Sequence, residues 1–206
     1  MSGPDTAAKA LSSIDIRGLG KLSVAPDANA PLLVVFGGIP VGGVQSGVYM
    51  WKYMSQKIKD QFHIFVAVHE KVNGTLTYRF LMDTLKAKAI TPSTQILYLF
   101  SGGYRPGMDL LTSNGPNAFS AIYLVDIWMG VTKRSGSTVP DFYKKLVDEN
   151  AAKITFTYVH TLFGANNNEA RDYIANEVGP ARAILVAGGT MKDHMSTNTT
   201  AIGTLQ

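Results

Sequence analysis

Apolar residues fall along this chain in short unbroken runs, separated by stretches in which only one face is apolar. Ile14 and Ile16 alternate with polar neighbours, as do Leu22 and Val24, and Gly18 and Gly20 allow a turn between them. Ser12 to Val24 therefore predicts two short strands, and Pro26 to Asn29 a loop. Pro31-Leu32-Leu33-Val34-Val35-Phe36 is continuously apolar and ends at Gly37-Gly38, which fits a buried parallel strand with a tight exit. Ser46 can cap the next helix, whose apolar face carries Val48, Tyr49, Trp51, Met54 and Ile58. His63 to Val68 is a strand, and Thr77 to Lys88 a helix with Tyr78, Leu81, Met82 and Leu85 on one side. Ile96-Leu97-Tyr98-Leu99-Phe100 is the most apolar run and is expected at the centre of the sheet.

The second half repeats the alternation. A glycine-rich turn, Ser101 to Gly107, leads into a short helix through Leu111. Ala121 to Trp128 is a strand with Asp126 near its carboxyl end, and Pro140 starts a helix carrying Phe142, Tyr143, Leu146 and Val147. Ile154 to Val159 is a strand and Glu169 to Val178 a helix; Ala183 to Ala187 is the last strand, ending at Gly188-Gly189. A final loop and helix hold Asp193, His194 and Thr197 to Leu205. This order predicts an α/β fold, a doubly wound and mostly parallel sheet with helices on both faces. Residues 1–206 are expected to form one domain, with 1–30 supplying the N-terminal strands and loop. In such sheets ligands bind outside the carboxyl ends of the strands, so the strand exits are where chemistry is expected.

Composition narrows the options. A length of 206 residues suits one domain, and 46% hydrophobic against 17% charged residues is ordinary for a folded chain. No apolar run approaches the roughly 20 residues of a membrane helix. Met1 to Ala8 lacks a basic start with an apolar stretch behind it, so a cytoplasmic location is expected. A mature secreted form whose leader had been removed would read the same. The absence of cysteine excludes disulfides, thiolate metal sites and a cysteine nucleophile. The net charge of +4 comes from scattered lysines and arginines without interleaved aromatics, which disfavours a nucleic-acid face. A homo-oligomer stays open.

Cofactor signatures are missing as well. No two histidines have a metal-ligand spacing beside carboxylates, so no metal is expected. Gly102-Gly103 lacks the third glycine and later acid of a dinucleotide site, and no P-loop lysine follows. Asn73-Gly74-Thr75 and Asn198-Thr199-Thr200 match the glycosylation pattern, which carries meaning only in a secreted chain.

The exits read Gly37-Gly38, His69-Glu70, Ser101 to Gly107, Asp126, His160 to Asn168, and Asp193-His194. From about Leu32 onward this order resembles the α/β-hydrolase superfamily. The resemblance implies a three-layer sandwich with oxyanion donors after an early strand and a nucleophile on a sharp strand-to-helix turn. It also implies an acid after a later strand and a histidine after the last one. Gly37 and Gly38 then fall at the oxyanion position, His194 at the general base and Asp126 at the acid. The superfamily more often places its acid one strand later, where this chain has Gly164-Ala165-Asn166-Asn167-Asn168 and no carboxylate before Glu169.

Two alignments compete for the elbow pattern Gly-x-Ser-x-Gly. With Ser101 as nucleophile, Gly102 and Gly103 follow correctly, but bulky Leu99 stands where a small residue is expected. Gly103-Tyr104-Arg105-Pro106-Gly107 supplies both glycines, with an arginine in the serine position. Pro106 is comfortable only in a first helical turn, which favours the second alignment unless the helix starts late. Arginine cannot serve as nucleophile, although Tyr104 and Arg105 could grip a carboxylate or phosphate. The expectation is a serine hydrolase acting on a small ester or amide through Ser101, His194 and Asp126. In that case Gly37, Gly38, Gly102, Tyr104 and Arg105 would serve the oxyanion or substrate. The alternative is a hydrolase-fold binding, assembly or structural protein without catalysis.

Overall fold

The apolar runs become strands in the computed structural model, which describes residues 13–38, 49–68, 73–127, 139–163 and 168–205. The described strands are β1 (Ile14–Asp15), β2 (Gly20–Ser23), β3 (Leu32–Phe36), β4 (His63–Ala67), β5 (Gln95–Phe100), β6 (Ala121–Val125), β7 (Thr155–His160) and β8 (Ala183–Leu185). They form one sheet in the order β1-β2-β4-β3-β5-β6-β7-β8. Only the pairings of β1 with β2 and of β2 with β4 are antiparallel; from β4 through β8 every pairing is parallel. Strand β5 sits between β3 and β6, as its apolar character predicts.

Period-two alternation splits the core into two layers. Leu32, Val34 and Phe36 of β3 face one side of the sheet. There they join buried side chains of α2 (Gly74–Ala87), α3 (Tyr104–Asn114), α4 (Val139–Asn150) and α5 (Asn168–Val178). Leu33 and Val35 face the other side, against Met50, Met54, Ile58 of α1 (Gln56–Gln61) and Ala201 and Ile202 of α6 (Met191–Gly203). The sheet is therefore covered by helices on both faces, a three-layer α/β sandwich. At about 1.5–3 kcal/mol for each large apolar side chain removed from water, these two layers supply the main drive to fold.

Two helices depart from expectation. The helix expected across Tyr49 to Ile58 is broken. Tyr49 and Met50 are helical, Trp51–Tyr53 forms a 3-10 turn, and Ser55 is extended. The Ser55 hydroxyl then accepts the Ile58 N–H at 3.3 Å and starts α1 afresh. The apolar spacing survives the break, since Met50, Met54 and Ile58 are all buried. Helix α2 begins earlier than expected, at Gly74, because the Asn73 side chain accepts the Leu76 N–H at 2.8 Å. Ser46, Val48, Gly42-Gly43, His69-Glu70 and Trp128 lie outside the described residues. Among the described residues no helix is long and apolar enough to cross a membrane.

Candidate active site

The turn between β5 and α3 reconciles the two elbow alignments. Ser101 follows β5 directly with φ of +51°, a left-handed conformation that costs a non-glycine residue about 1–2 kcal/mol. Ser101–Gly103 forms a 3-10 turn, and α3 starts only at Tyr104 with Gly103 as its N-cap. Pro106 consequently falls in the first turn of α3, where its missing N–H leaves no gap in the helical ladder. The late helix start removes the objection to Ser101, and Arg105 is already inside the helix. The small-residue requirement is met from an unexpected side. Leu99 keeps its bulk because Gly107, one helical turn along, has no side chain; a Cβ there would stand 2.6 Å from Leu99 Cδ1. Gly103 is packed just as tightly, since a Cβ on it would run into the carbonyl of Phe36.

Asp126 and His194 meet across the sheet's carboxyl edge. His194 Nδ1 lies 2.7 Å from Asp126 Oδ2, with both side chains nearly buried. A carboxylate only accepts, so Nδ1–H donates. Asp126 ends β6 with φ of +42°, and its N–H donates to the Val159 carbonyl at 2.6 Å. Its carboxylate also accepts the Thr161 N–H at 2.9 Å on Oδ1 and the Thr161 hydroxyl on Oδ2. Thr161 thus occupies the exit where the superfamily more often keeps its acid, and it holds the carboxylate of Asp126 from the neighbouring strand. Arg171, buried on α5, donates to the Thr161 carbonyl at 3.2 Å.

His194 stands in the first turn of α6 rather than in a loop before it. Thr190 and Asp193 close a capping box there, which fixes where the helix begins. The imidazole is clasped by two rings, Phe100 at 4.7 Å and Phe163 at 5.0 Å between centroids. Phe100 is the residue before Ser101, so the histidine packs on the side chain next to the serine in sequence. Among the described residues Ser101 Oγ makes no hydrogen bond, to His194 or to any other group.

The remaining expected residues divide. Gly102 is buried directly behind Ser101 in the 3-10 turn. The Gly38 N–H, expected to face an oxyanion, donates instead to the Tyr49 hydroxyl at 3.0 Å. Gly37 packs close to Gly103 through its carbonyl. Tyr104 is a core residue: its carbonyl accepts from the Tyr143 hydroxyl at 3.0 Å, and its own hydroxyl accepts from Arg105 Nε at 2.9 Å. Both line a groove of about 750 Å³ between α3 and α4 that Ser101, Asp126 and His194 do not enter. The structure therefore pairs Asp126 with His194 and packs Gly38 against Ser101, with His194 stacked on Phe100, the residue before Ser101; Tyr104 and Arg105 line a separate groove. Residues 164–167, at the exit that carries no carboxylate, lie outside the described residues.

Sequence reasoning missed Thr161, Tyr49, Phe100 and Phe163 as parts of this site. Thr161 directly follows β7 at an exit already marked for the acid, which was the one signal available. His160, the last residue of β7, is buried and stacked on Tyr158 at 4.7 Å, and burial lowers its pKa.

The topology, the left-handed serine after the central strand and the histidine after the last strand define the α/β-hydrolase fold. Solved structures bear this out at the level of fold. A poly(3-hydroxybutyrate) depolymerase, LpqC from Bordetella parapertussis, matches at a TM-score of 0.56 and 13% identity, over 88% of this chain and 81% of its own. A zinc-bound cold-adapted esterase from an Arctic intertidal metagenomic library matches at 0.55 and 12% identity, over 94% and 90%. XC6422 from Xanthomonas campestris, described as an α/β serine hydrolase without a lid, matches at 0.52 and 12% identity, over 91% and 86%. No protein-family model matches the sequence, and no curated protein matches it.

Proposed function

We propose that the protein is a serine hydrolase that cleaves a small ester or amide. The observation that carries this is the buried Asp126–His194 contact of 2.7 Å, with the histidine stacked on Phe100, the residue before a serine in left-handed backbone at the exit of the central strand. In this mechanism Ser101 Oγ attacks the acyl carbon while His194 Nε2 takes its proton. Asp126 fixes the tautomer and stabilises the imidazolium. His194 returns the proton to the leaving alcohol or amine, and a water activated the same way releases the acid. Structural neighbours described as an esterase and a serine hydrolase support the reaction class without naming a substrate.

A fluorophosphonate probe tests the proposal. Wild type is expected to label and to hydrolyse p-nitrophenyl acetate, and Ser101→Ala to do neither. Labelling that persists in Ser101→Ala places the nucleophile elsewhere. A second reading, a binding or assembly module on the same scaffold, is favoured by the lack of a Ser101–His194 hydrogen bond. It expects no labelling in either protein.

A further inference from the structure

We infer that the Tyr49 phenol, held by the Gly38 N–H, is an oxyanion donor of this site and so a catalytic residue; the inference rests on the hydrolase reading above. The early glycine pair was expected to turn backbone N–H groups toward substrate. In the structure the Gly38 N–H is committed to Tyr49 Oη at 3.0 Å. A phenol that accepts this bond still owns one proton to donate. No described residue accepts it.

The direction open to that proton follows from Gly38. A Cβ built on Gly38 would lie 2.7 Å from Ser101 Cβ, 3.0 Å from Ser101 Oγ and 3.3 Å from Tyr49 Oη. The glycine therefore lets the chain pack directly against Ser101, and the serine hydroxyl and the phenol both lie within 3.3 Å of one point beside Gly38. In the proposed arrangement the oxygen of an acyl carbon bonded to Ser101 Oγ turns toward this phenol. A donor about 2.7–3.1 Å from that oxygen is what stabilises the developing charge.

Phe100 holds the parts in register. Tyr49 packs on its ring at 6.4 Å with an interplanar angle of 77°, and His194 stacks on it at 4.7 Å. Donor and base thus share one aromatic support, and the serine follows that support in the chain. Burial pushes the Tyr49 pKa up to about 12, an effect the Gly38 bond only partly offsets, so the phenol stays protonated at working pH. In the step itself the Oγ–C bond forms, the carbonyl π pair moves to oxygen, and Tyr49 donates a hydrogen bond without giving up its proton. Collapse restores the carbonyl and expels the leaving group, which takes the proton held by His194.

Tyr49→Phe keeps the ring and removes the donor. With p-nitrophenyl acetate, kcat is expected to fall about 10²–10³-fold, the range for loss of one oxyanion donor, with KM nearly unchanged. Inhibition by phenylboronic acid, whose serine adduct is tetrahedral and anionic, is expected to weaken in parallel. An unchanged or raised kcat in a folded Tyr49→Phe protein overturns the inference, because the phenol then merely occupies the Gly38 N–H. A crystal structure of the wild-type phosphonyl adduct needs no variant: an adduct oxygen hydrogen-bonded to Tyr49 Oη supports the inference, and a gap too long for a hydrogen bond overturns it. Active wild type with inactive Ser101→Ala and normal Tyr49→Phe sinks the Tyr49 role alone. Wild type that neither hydrolyses nor labels sinks both.

Discussion

Gly107 and Leu99 share one space, and a double-mutant cycle can show that this sharing permits the elbow. A methyl at position 107 would stand 2.6 and 2.7 Å from the two Leu99 methyls and 3.2 Å from Leu99 Cγ. Relaxed carbon contacts run about 3.5–4.0 Å, so the overlap is close to 1 Å on two atoms at once. Leu99 is fully buried in the central strand and has nowhere to yield. Overpacking of this kind costs about 1–3 kcal/mol, against about 1 kcal/mol gained when alanine replaces glycine in a helix. Gly107→Ala is therefore expected to destabilise by roughly 0–2 kcal/mol. Leu99→Ala alone is expected to cost about 2–5 kcal/mol through the cavity it leaves. In that background the new methyl at 107 enters vacated space, so Gly107→Ala should stabilise. The sign reverses, with a coupling of about 1–3 kcal/mol. Urea unfolding of the four proteins measures it, and fluorophosphonate labelling rates report whether Ser101 keeps its geometry. Additive energies would refute the shared-space account and leave a bulky Leu99 in the elbow unexplained.

Other outcomes follow from the same contacts. Thr161→Val removes a hydroxyl bond to the Asp126 carboxylate but leaves the N–H bond on Oδ1. Bonds to charged groups contribute about 1.5–3 kcal/mol, so steady-state assays should show kcat down about tenfold to a hundredfold; an unchanged kcat would mean that Asp126 needs no brace. Stability should also fall with acid. His63 Nδ1 accepts the Ala25 N–H at 3.1 Å, and burial holds the His63 pKa below its usual 6.5. The unfolded chain therefore binds the proton first, and stability present above about pH 6.5 is lost as the pH drops below it. Urea midpoints from pH 7.5 to 5 should decline, and His63→Gln should flatten the decline; an equal slope in both proteins would assign the effect to other groups.

The sheet was readable because its strands are unbroken apolar runs with glycine or aspartate at their exits. Asp126 and His194 were visible through the same logic, since the order of exits needs no side-chain detail. The choice between Ser101 and Arg105 was not readable. It depended on a 3-10 turn at Ser101–Gly103, and nothing in Ser-Gly-Gly distinguishes that turn from the start of an α-helix. The break at Ser55 escaped because the apolar spacing of Met50, Met54 and Ile58 runs through it. Tyr49 escaped for a related reason, since an apolar stripe marks where a ring packs and not what its hydroxyl meets. Thr161 works through a contact between adjacent strands, which no local window contains.

Two of the non-glycine residues in left-handed backbone, Ser101 and Asp126, end neighbouring strands of this sheet. Aspartate tolerates that conformation better than serine does, yet glycine would suit both places more. A library screened for heat resistance alone should therefore enrich glycine at 101, where the hydroxyl makes no hydrogen bond among the described residues, and keep aspartate at 126, whose carboxylate holds Thr161 and His194. A lineage released from chemistry would drift the same way. A serine kept at 101 is what continued selection for reactivity would leave behind.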